Sequence, residues 1–386
     1  MAIAADDQVA LDLLFDVLRV DSIWGREQAL AELVAARMSA TGFAEVALVE
    51  PVPGRASVVG RISGTGGGRS LILNGHIDIY ELAADWTRDP FVPAIEHGKI
   101  YGAGVSDEKA GTAALLAAAS RFIEPSRRPR GDIIFMGVSA HFEGGLGTHA
   151  VLAQGVHADA AICCEPSNMV LANAHRGAAY LTITTRGRQA HTSAKHLGLN
   201  AIESMVPIMQ GLDSLSIPHV PDEFGGPVLN IGTIHGGTKH NQVPDRCEIS
   251  IDIRVPASTS PEAAKAAVEQ MIADLSRTRH DIDASVAFSP YWLSGPRYPT
   301  LTPPDQPIVA TVQAARQTAG LPQAGLTALP VWADMCVLDR AGIPTVNIGP
   351  GGPPYNWADE YVRVDEYLAA VRTYAAAIEN FCNGTP

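Results

Sequence analysis

The sequence predicts an α/β fold interrupted by a smaller α+β unit, on three observations. Strand-like and helix-like segments alternate from the N-terminus to about residue 176. From 177 to 290 the texture changes to apolar/polar alternation, as half-exposed antiparallel strands show. The α/β texture then resumes to the C-terminus. A length of 386 residues also favours two domains over one. The larger is therefore expected at 1–176 with 291–386, and the inserted one at 177–290.

Each element follows from its pattern. "DQVALDLLFDVLRV" (7–20) and "REQALAELVAARMSATG" (26–42) repeat apolar residues at helical spacing, the second ending in a glycine cap. The β-branched runs "ASVVGRI" and "RSLILNG" follow, then a helix from about Lys109 to Ile123. "DIIFMGV" and "DAAICC" are apolar strands, each leading into a polar loop. In the insertion, "GAAYLTITTRG" and "DRCEISIDIRV" alternate, with helices at about 198–214 and 261–276, which makes a β-α-β-β-α-β (ferredoxin-like) unit. "IPTVNIGPG" and the helix "VDEYLAAVRTYAAAIENF" complete the first domain.

Composition excludes several classes. With 46% hydrophobic and 18% charged residues, the chain can bury a core and is not disordered. A net charge of −13 argues against nucleic acid and anionic membranes as partners, since both need a basic face. The five cysteines (163, 164, 247, 336, 382) are odd in number and unpatterned, so they read as reduced thiols. "MAIAADDQVALDLL" is acidic where a secretion signal is basic, and no run approaches about 18 apolar residues. A cytoplasmic, soluble protein is expected.

The chemistry-bearing residues fall at strand ends. "LILNGHIDIY" places His76 and Asp78 at alternate positions past a buried strand, so both side chains share a face. They read either as a metal ligand with its orienting acid or as a solvated strand-end pair. Asp107, in "YGAGVSDEKAG", stands at a glycine-rich turn opening a helix, as an exposed ligand or as an N-cap. Glu165, in "AICCEPSN", ends a further strand. Nitrogen and oxygen donors at three strand ends of one sheet make a hard or borderline metal site.

Together, "NGHID", "WTRDPF", "IYGAGVSDEKAG", "CEPSN", "AHRGAAYLTITTRGRQAHTSAKHLGLNAI", "NQVPDRCEISIDIR" and "AGIPTVNIGPG…ADEYV" resemble the M20 family of metallo-aminoacyl hydrolases in order and approximate spacing. That family includes carboxypeptidases, acetylornithine deacetylases, succinyl-diaminopimelate desuccinylases and aminoacylases. The resemblance covers nearly the whole chain. It implies a zinc-peptidase-like catalytic domain with an inserted dimerisation lid. It also implies that His76, Asp107 and Glu165 hold one metal ion, with Asp78 orienting His76 and Asp107 bridging to a second ion.

The sequence departs from the family at that second ion. An adjacent Glu-Glu pair, the first the general base and the second a metal ligand, is expected before the glycines of "SAHFEGGLGT". One register puts His141-Phe142 there and leaves Glu143 as a spacer; the other makes Glu143 the ligand. The family histidine three residues before "DEYV" is Asn356, and the last of the twelve histidines is His280, so none downstream can substitute. Both private ligands of the second ion are missing in the first register. One divalent transition metal (Mn, Zn or Fe) per subunit is therefore expected, with Phe142 filling the space of the other. His141 then stands in the general-base slot, where an imidazole titrating near neutrality can take a proton from water. Its alternatives are metal ligand, leaving-group acid, or a histidine bonded to loop backbone.

In the lid, the resemblance implies that His191 reaches across a homodimer to stabilise an oxyanion, and that Asn241 and Arg254 bind a substrate carboxylate. Asn356 joins this substrate-binding group. Asp334, in "VWADM", matches a family aspartate near the site, although the threonine before it is Ala333. The expected activity is hydrolysis of an amide-type carbon–nitrogen bond in a small carboxylate-bearing substrate. Two rivals are hydrolytic deamination of an activated aromatic amino acid, such as a substituted aminobenzoate, and a non-catalytic amino-acid- or peptide-binding protein.

Overall fold

Continuous apolar runs become the buried strands of a mixed sheet. The computed structural model describes residues 4–222, 224–289, 296–353 and 357–385. The sheet of the larger unit runs Ala44–Val52, Arg55–Ile62, Ile133–Val138, Leu71–His76, Ala160–Cys163, Thr345–Asn347 and then Ala172–His175. Its centre is parallel: Leu71–His76 pairs in parallel with both Ile133–Val138 and Ala160–Cys163, and the latter with Thr345–Asn347. Every residue of Leu71–His76 and Ile133–Val138 is buried, as parallel strands covered on both faces require. Helices Ala5–Leu18, Gln28–Thr41, Ala110–Ser120, Pro307–Thr318 and Val364–Cys382 contribute to the same apolar core as Leu71, Leu73 and Ile133. Fully burying one such side chain stabilises the fold by about 1.5–3 kcal/mol. All five cysteines are buried free thiols, and among the described residues no helix is long and apolar enough to cross a membrane.

The smaller unit comprises His175–Thr300 with Pro330–Trp332; the larger comprises Met1–Ala174, Leu301–Leu329 and Ala333–Pro386. The insertion thus extends to Thr300 rather than ending at 290. The reason lies in the backbone. Ala178 N donates to Arg297 O (2.8 Å) and Arg297 N to Ala178 O (3.1 Å), which ties the returning chain to the first strand of the insertion. Its four-stranded antiparallel sheet has the order Val228–Gly236, Arg246–Val255, Gly177–Arg186, Asp283–Phe288, with helices Ala201–Asp213 and Pro261–Thr278. This is the expected β-α-β-β-α-β order. Strand Arg246–Val255 alternates buried and part-exposed residues, and Ile249, Ile251 and Ile253 build the core.

Candidate metal centre

Parallel strands end together, so the residues that follow them share one edge of the sheet. In the register of the two central strands, His76 lies opposite Val138, three residues before His141. Gly75 is required there, because a Cβ would meet Thr112 Oγ1 at 2.4 Å. The Thr112 hydroxyl donates to the His76 carbonyl (2.9 Å) and ties helix Ala110–Ser120 to the strand end. The His76 Nδ1–H has the Asp78 carbonyl oxygen at 2.8 Å, whereas the Asp78 carboxylate lies 3.8 Å from Nδ1. The Asp78 group that meets His76 Nδ1 is therefore its backbone carbonyl and not its carboxylate. With Nδ1 donating to that carbonyl, Nε2 is the ring atom that faces the site. Burial pushes the Asp78 carboxyl up to about 6, and its Oδ2 accepts from Phe142 N at 3.4 Å.

Asp107 reaches the same point from the turn before helix Ala110–Ser120. Glu360 holds this turn by accepting from Gly104 N (2.6 Å) and Ser106 N (3.1 Å). Asp107 Oδ1 lies 3.2 Å from His76 Nε2. The N-cap reading fails, because the helix begins without a side-chain cap. Glu108, to which the sequence assigned no role, is buried beside it and accepts from His76 N.

Glu165 follows strand Ala160–Cys163. Its backbone is clamped by Asn347, whose Oδ1 accepts from Glu165 N and whose Nδ2 donates to Glu165 O, both at 2.9 Å. His141 opens a single turn that starts from left-handed Ala140 (φ 56°) and leaves through Gly144 (φ 84°) and Gly145 (φ 71°). His141 Nδ1 faces Asp334 Oδ2 at 3.2 Å, and its Nε2 lies 3.4 Å from Glu165 Oε1. The Asp334 carboxylate thus does for His141 what the Asp78 carbonyl does for His76. The Phe142 ring packs on Tyr80, centroids 3.9 Å apart, and edge-on to His76 at 5.5 Å. Glu143 turns away into a bidentate ion pair with Arg55 (2.6 and 2.9 Å). His141 and Phe142, not Glu143, occupy the site.

These carboxylates crowd without enough positive charge. Burial and then the neighbouring Glu108 carboxylate push the Glu165 carboxyl well above its usual range. Burial likewise raises Glu108. Burial alone would lower the His76 imidazole, but Glu108, the Asp107 bond and Glu165 outweigh it and hold His76 well above its usual range. Asp78 Oδ1, Glu108 Oε2 and Asp334 Oδ1 are buried without a hydrogen-bond partner. A cation answers each of these observations. The donor set fits one: His76, His141 and Glu165 present ligand atoms all within 4.8 Å of one another. The separations are 3.2 Å (His76 Nε2 to Asp107 Oδ1), 3.4 Å (His141 Nε2 to Glu165 Oε1) and 3.8 Å (His76 Nε2 to Glu165 Oε1). Ligands on a tetrahedral ion with bonds near 2.1 Å lie about 3.4 Å apart.

In the smaller unit, His191 is exposed and its Nδ1 is engaged by Ser193 Oγ (2.8 Å) and N (3.2 Å). Asn241 is exposed, and its carbonyl accepts from Thr192 N. Arg254 is engaged by Asp252 (3.0 Å) and by the Tyr180 hydroxyl (3.2 Å). Asn356 lies outside the described residues.

Comparison with known proteins bears on this site. Residues 173–280 match the peptidase dimerisation domain, and residues 57–193 match peptidase family M28. A succinyl-diaminopimelate desuccinylase of Thioalkalivibrio sulfidiphilus is 25% identical over 385 residues, covering 96% of this chain and 98% of its own. A solved tripeptidase of Staphylococcus aureus superposes with a TM-score of 0.79 at 21% identity, over 97% of this chain and 98% of its own. A dinuclear metal-binding peptidase of the M20 family from Bacillus subtilis superposes with a TM-score of 0.73 at 16% identity, over 98% of this chain and 99% of its own. Together these matches support an M20 family metallopeptidase. The relatives' names support a metal-dependent amide hydrolase, and His76, His141 and Glu165 are the candidate metal site.

Proposed function

We propose that this M20 enzyme cleaves an amide-type bond in a small carboxylate-bearing substrate with a single divalent ion. The observation that carries this reading is the convergence of His76 Nε2, His141 Nε2 and Glu165 Oε1 on one point, with Asp107 beside them and Phe142 in the wall. His76, Asp107, His141 and Glu165 would hold the ion, of which Mn, Zn and Fe suit two imidazoles and two carboxylates. When bound, it supplies Lewis-acid polarisation of the scissile carbonyl and acidifies water. The chain's own groups do the rest. The Asp78 carbonyl and Asp334 carboxylate hold both imidazoles with Nε2 inward, while the Phe142 and Tyr80 rings keep bulk water from one side. This geometry favours His141 as a ligand over His141 as the base.

The matched dimerisation domain supports a homodimer. On the family resemblance, His191 would be the oxyanion donor, and Asn241, Arg254 and Asn356 would bind substrate. A cytoplasmic location fits the acidic composition. The desuccinylase relatives favour an acylated amino acid as substrate. One observation favours the second reading, deamination of an aromatic amino acid such as an aminobenzoate. Tyr80 packs on Phe142 beside His76, with ring centroids 3.9 Å apart, an aromatic wall that suits a planar ring. Turnover by metal-loaded protein on N-succinyl and N-acetyl amino acids, dipeptides and aminobenzoates separates the two. No turnover on any arm, with binding of one, points to the non-catalytic reading.

A further inference from the structure

One residue holds both ends of the turn that carries His141. On its N-terminal side, Ser139 Oγ donates to the Arg55 carbonyl (3.0 Å), and Ser139 N donates to Ser57 Oγ (3.0 Å). On its C-terminal side, the Arg55 guanidinium forks onto the two Glu143 oxygens at 2.6 and 2.9 Å. The adjoining Nε–Nη2 edge of the same guanidinium donates to both oxygens of Glu27, at 2.9 and 2.6 Å, with Nη2 shared between the two acids. Glu27 is fixed in turn by accepting from Gly25 N (3.1 Å). Arg55, Glu27 and Glu143 are 9%, 0% and 2% exposed, so solvent screens these pairs little.

Between the two anchors lie only Ala140, His141 and Phe142. Ala140 has φ 56°, a conformation that a non-glycine residue keeps only where its surroundings over-determine it. The planar arginine fork fixes direction as well as distance, which a lysine at the same place cannot do.

We propose that Arg55 is a positioning residue of the metal centre, acting through Ser139 and Glu143 to hold His141 Nε2 beside Glu165 and His76. The proposal rests on the reading of His141 as a ligand. Groups that orient a metal-bound imidazole from outside change metal affinity by about 10–100-fold when removed. Arg55 stands one step further out than Asp334 and orients the backbone rather than the ring.

The test uses the full chain titrated with Co²⁺, whose visible absorption reports the ligand set. Arg55→Met and Glu143→Gln are expected to weaken cobalt binding by roughly tenfold or more and to change the cobalt spectrum, with Arg55→Lys recovering only part of the loss. Glu143→Gln keeps side-chain shape and leaves Arg55 its Glu27 partner, so it carries the test if Arg55→Met does not fold. The deciding comparison is made in a His141→Ala background, where Glu143→Gln should add no further loss. An equal further loss there, or wild-type cobalt affinity in folded Glu143→Gln, overturns the proposal. If His141→Ala itself binds cobalt like the wild type, the ligand reading fails separately. Positioning is then read from the His141 ring ¹⁵N resonances, which Glu143→Gln must shift; unshifted resonances overturn it.

Discussion

The imidazoles of His76 and His141 lie stacked, with ring centroids 4.3 Å apart and 17° between their planes. Each ring has its Nδ1 tied, one to the Asp78 carbonyl and one to the Asp334 carboxylate, and each turns Nε2 toward Glu165. Two parallel strands ending side by side bring about this relationship, and the consequences below follow from it.

Metal content is the first. With Phe142 in the wall and Glu143 bound to Arg55, elemental analysis of fully active protein should give about one divalent ion per chain. Two equivalents would refute the single-ion reading. Chelation should lower the melting temperature, since an ion at roughly 100 times its dissociation constant adds about 2.7 kcal/mol to folding stability.

His141 and Asp334 should separate by degree. His141→Ala that loses metal marks a ligand. His141→Ala that keeps metal and loses roughly two to four orders of magnitude in turnover marks a general base. Asp334→Asn should cost about 10–100-fold in metal affinity or activity, because the ring loses a charged partner on Nδ1. Unchanged affinity and activity in Asp334→Asn would remove Asp334 from the site.

Glu360 makes stability depend on pH in an unusual direction. Burial raises its carboxyl from 4.5 to about 7, in spite of the bonds it accepts from Gly104 and Ser106. Between those values the folded protein keeps a proton that the unfolded chain has released. This contribution is therefore complete below pH 4.5 and is lost as pH rises through about 7. Relative to Glu360→Gln, the wild type should lose on the order of 3 kcal/mol across that window, measured by urea unfolding. A pH-independent difference between the two proteins would count against it.

His191 should act in trans. Losing one oxyanion donor costs about 3–4 kcal/mol of transition-state stabilisation, so His191→Ala should be nearly inactive. Subunit exchange between His191→Ala and Asp107→Ala should restore activity toward about a quarter of wild type, since roughly half the dimers are mixed and each holds one intact site. Proven exchange with no recovery would assign His191 to its own subunit or to no catalytic role.

Much of this was legible in the chain because it is local. The buried runs before His76 and Glu165 announce strand ends, and the alternation of Arg246–Val255 announces a half-exposed sheet. What stayed hidden depends on distant partners. Asn347 clamps Glu165 from 182 residues away, and Arg55 pairs with Glu143 across 88. No periodicity encodes such pairs, so the choice between Phe142 and Glu143 as the inward residue stayed open. An H-x-D spacing puts Asp78 beside His76 but does not say which of its oxygens, carbonyl or carboxylate, meets the ring. Glu108 was passed over because an acid beside an acid in a polar turn resembles a solvated pair, yet it is 2% exposed.

The anchoring of the His141 turn also bears on how such enzymes diversify. Both fastenings, at Ser139 and Glu143, lie outside the two positions that face the ion, and the left-handed bends at Ala140 and Gly144 belong to the backbone. Positions 141 and 142 therefore form a socket: on the single-ion proposal, a change of donor there would replace two side chains while the strand, the turn and the arginine beneath them keep their places.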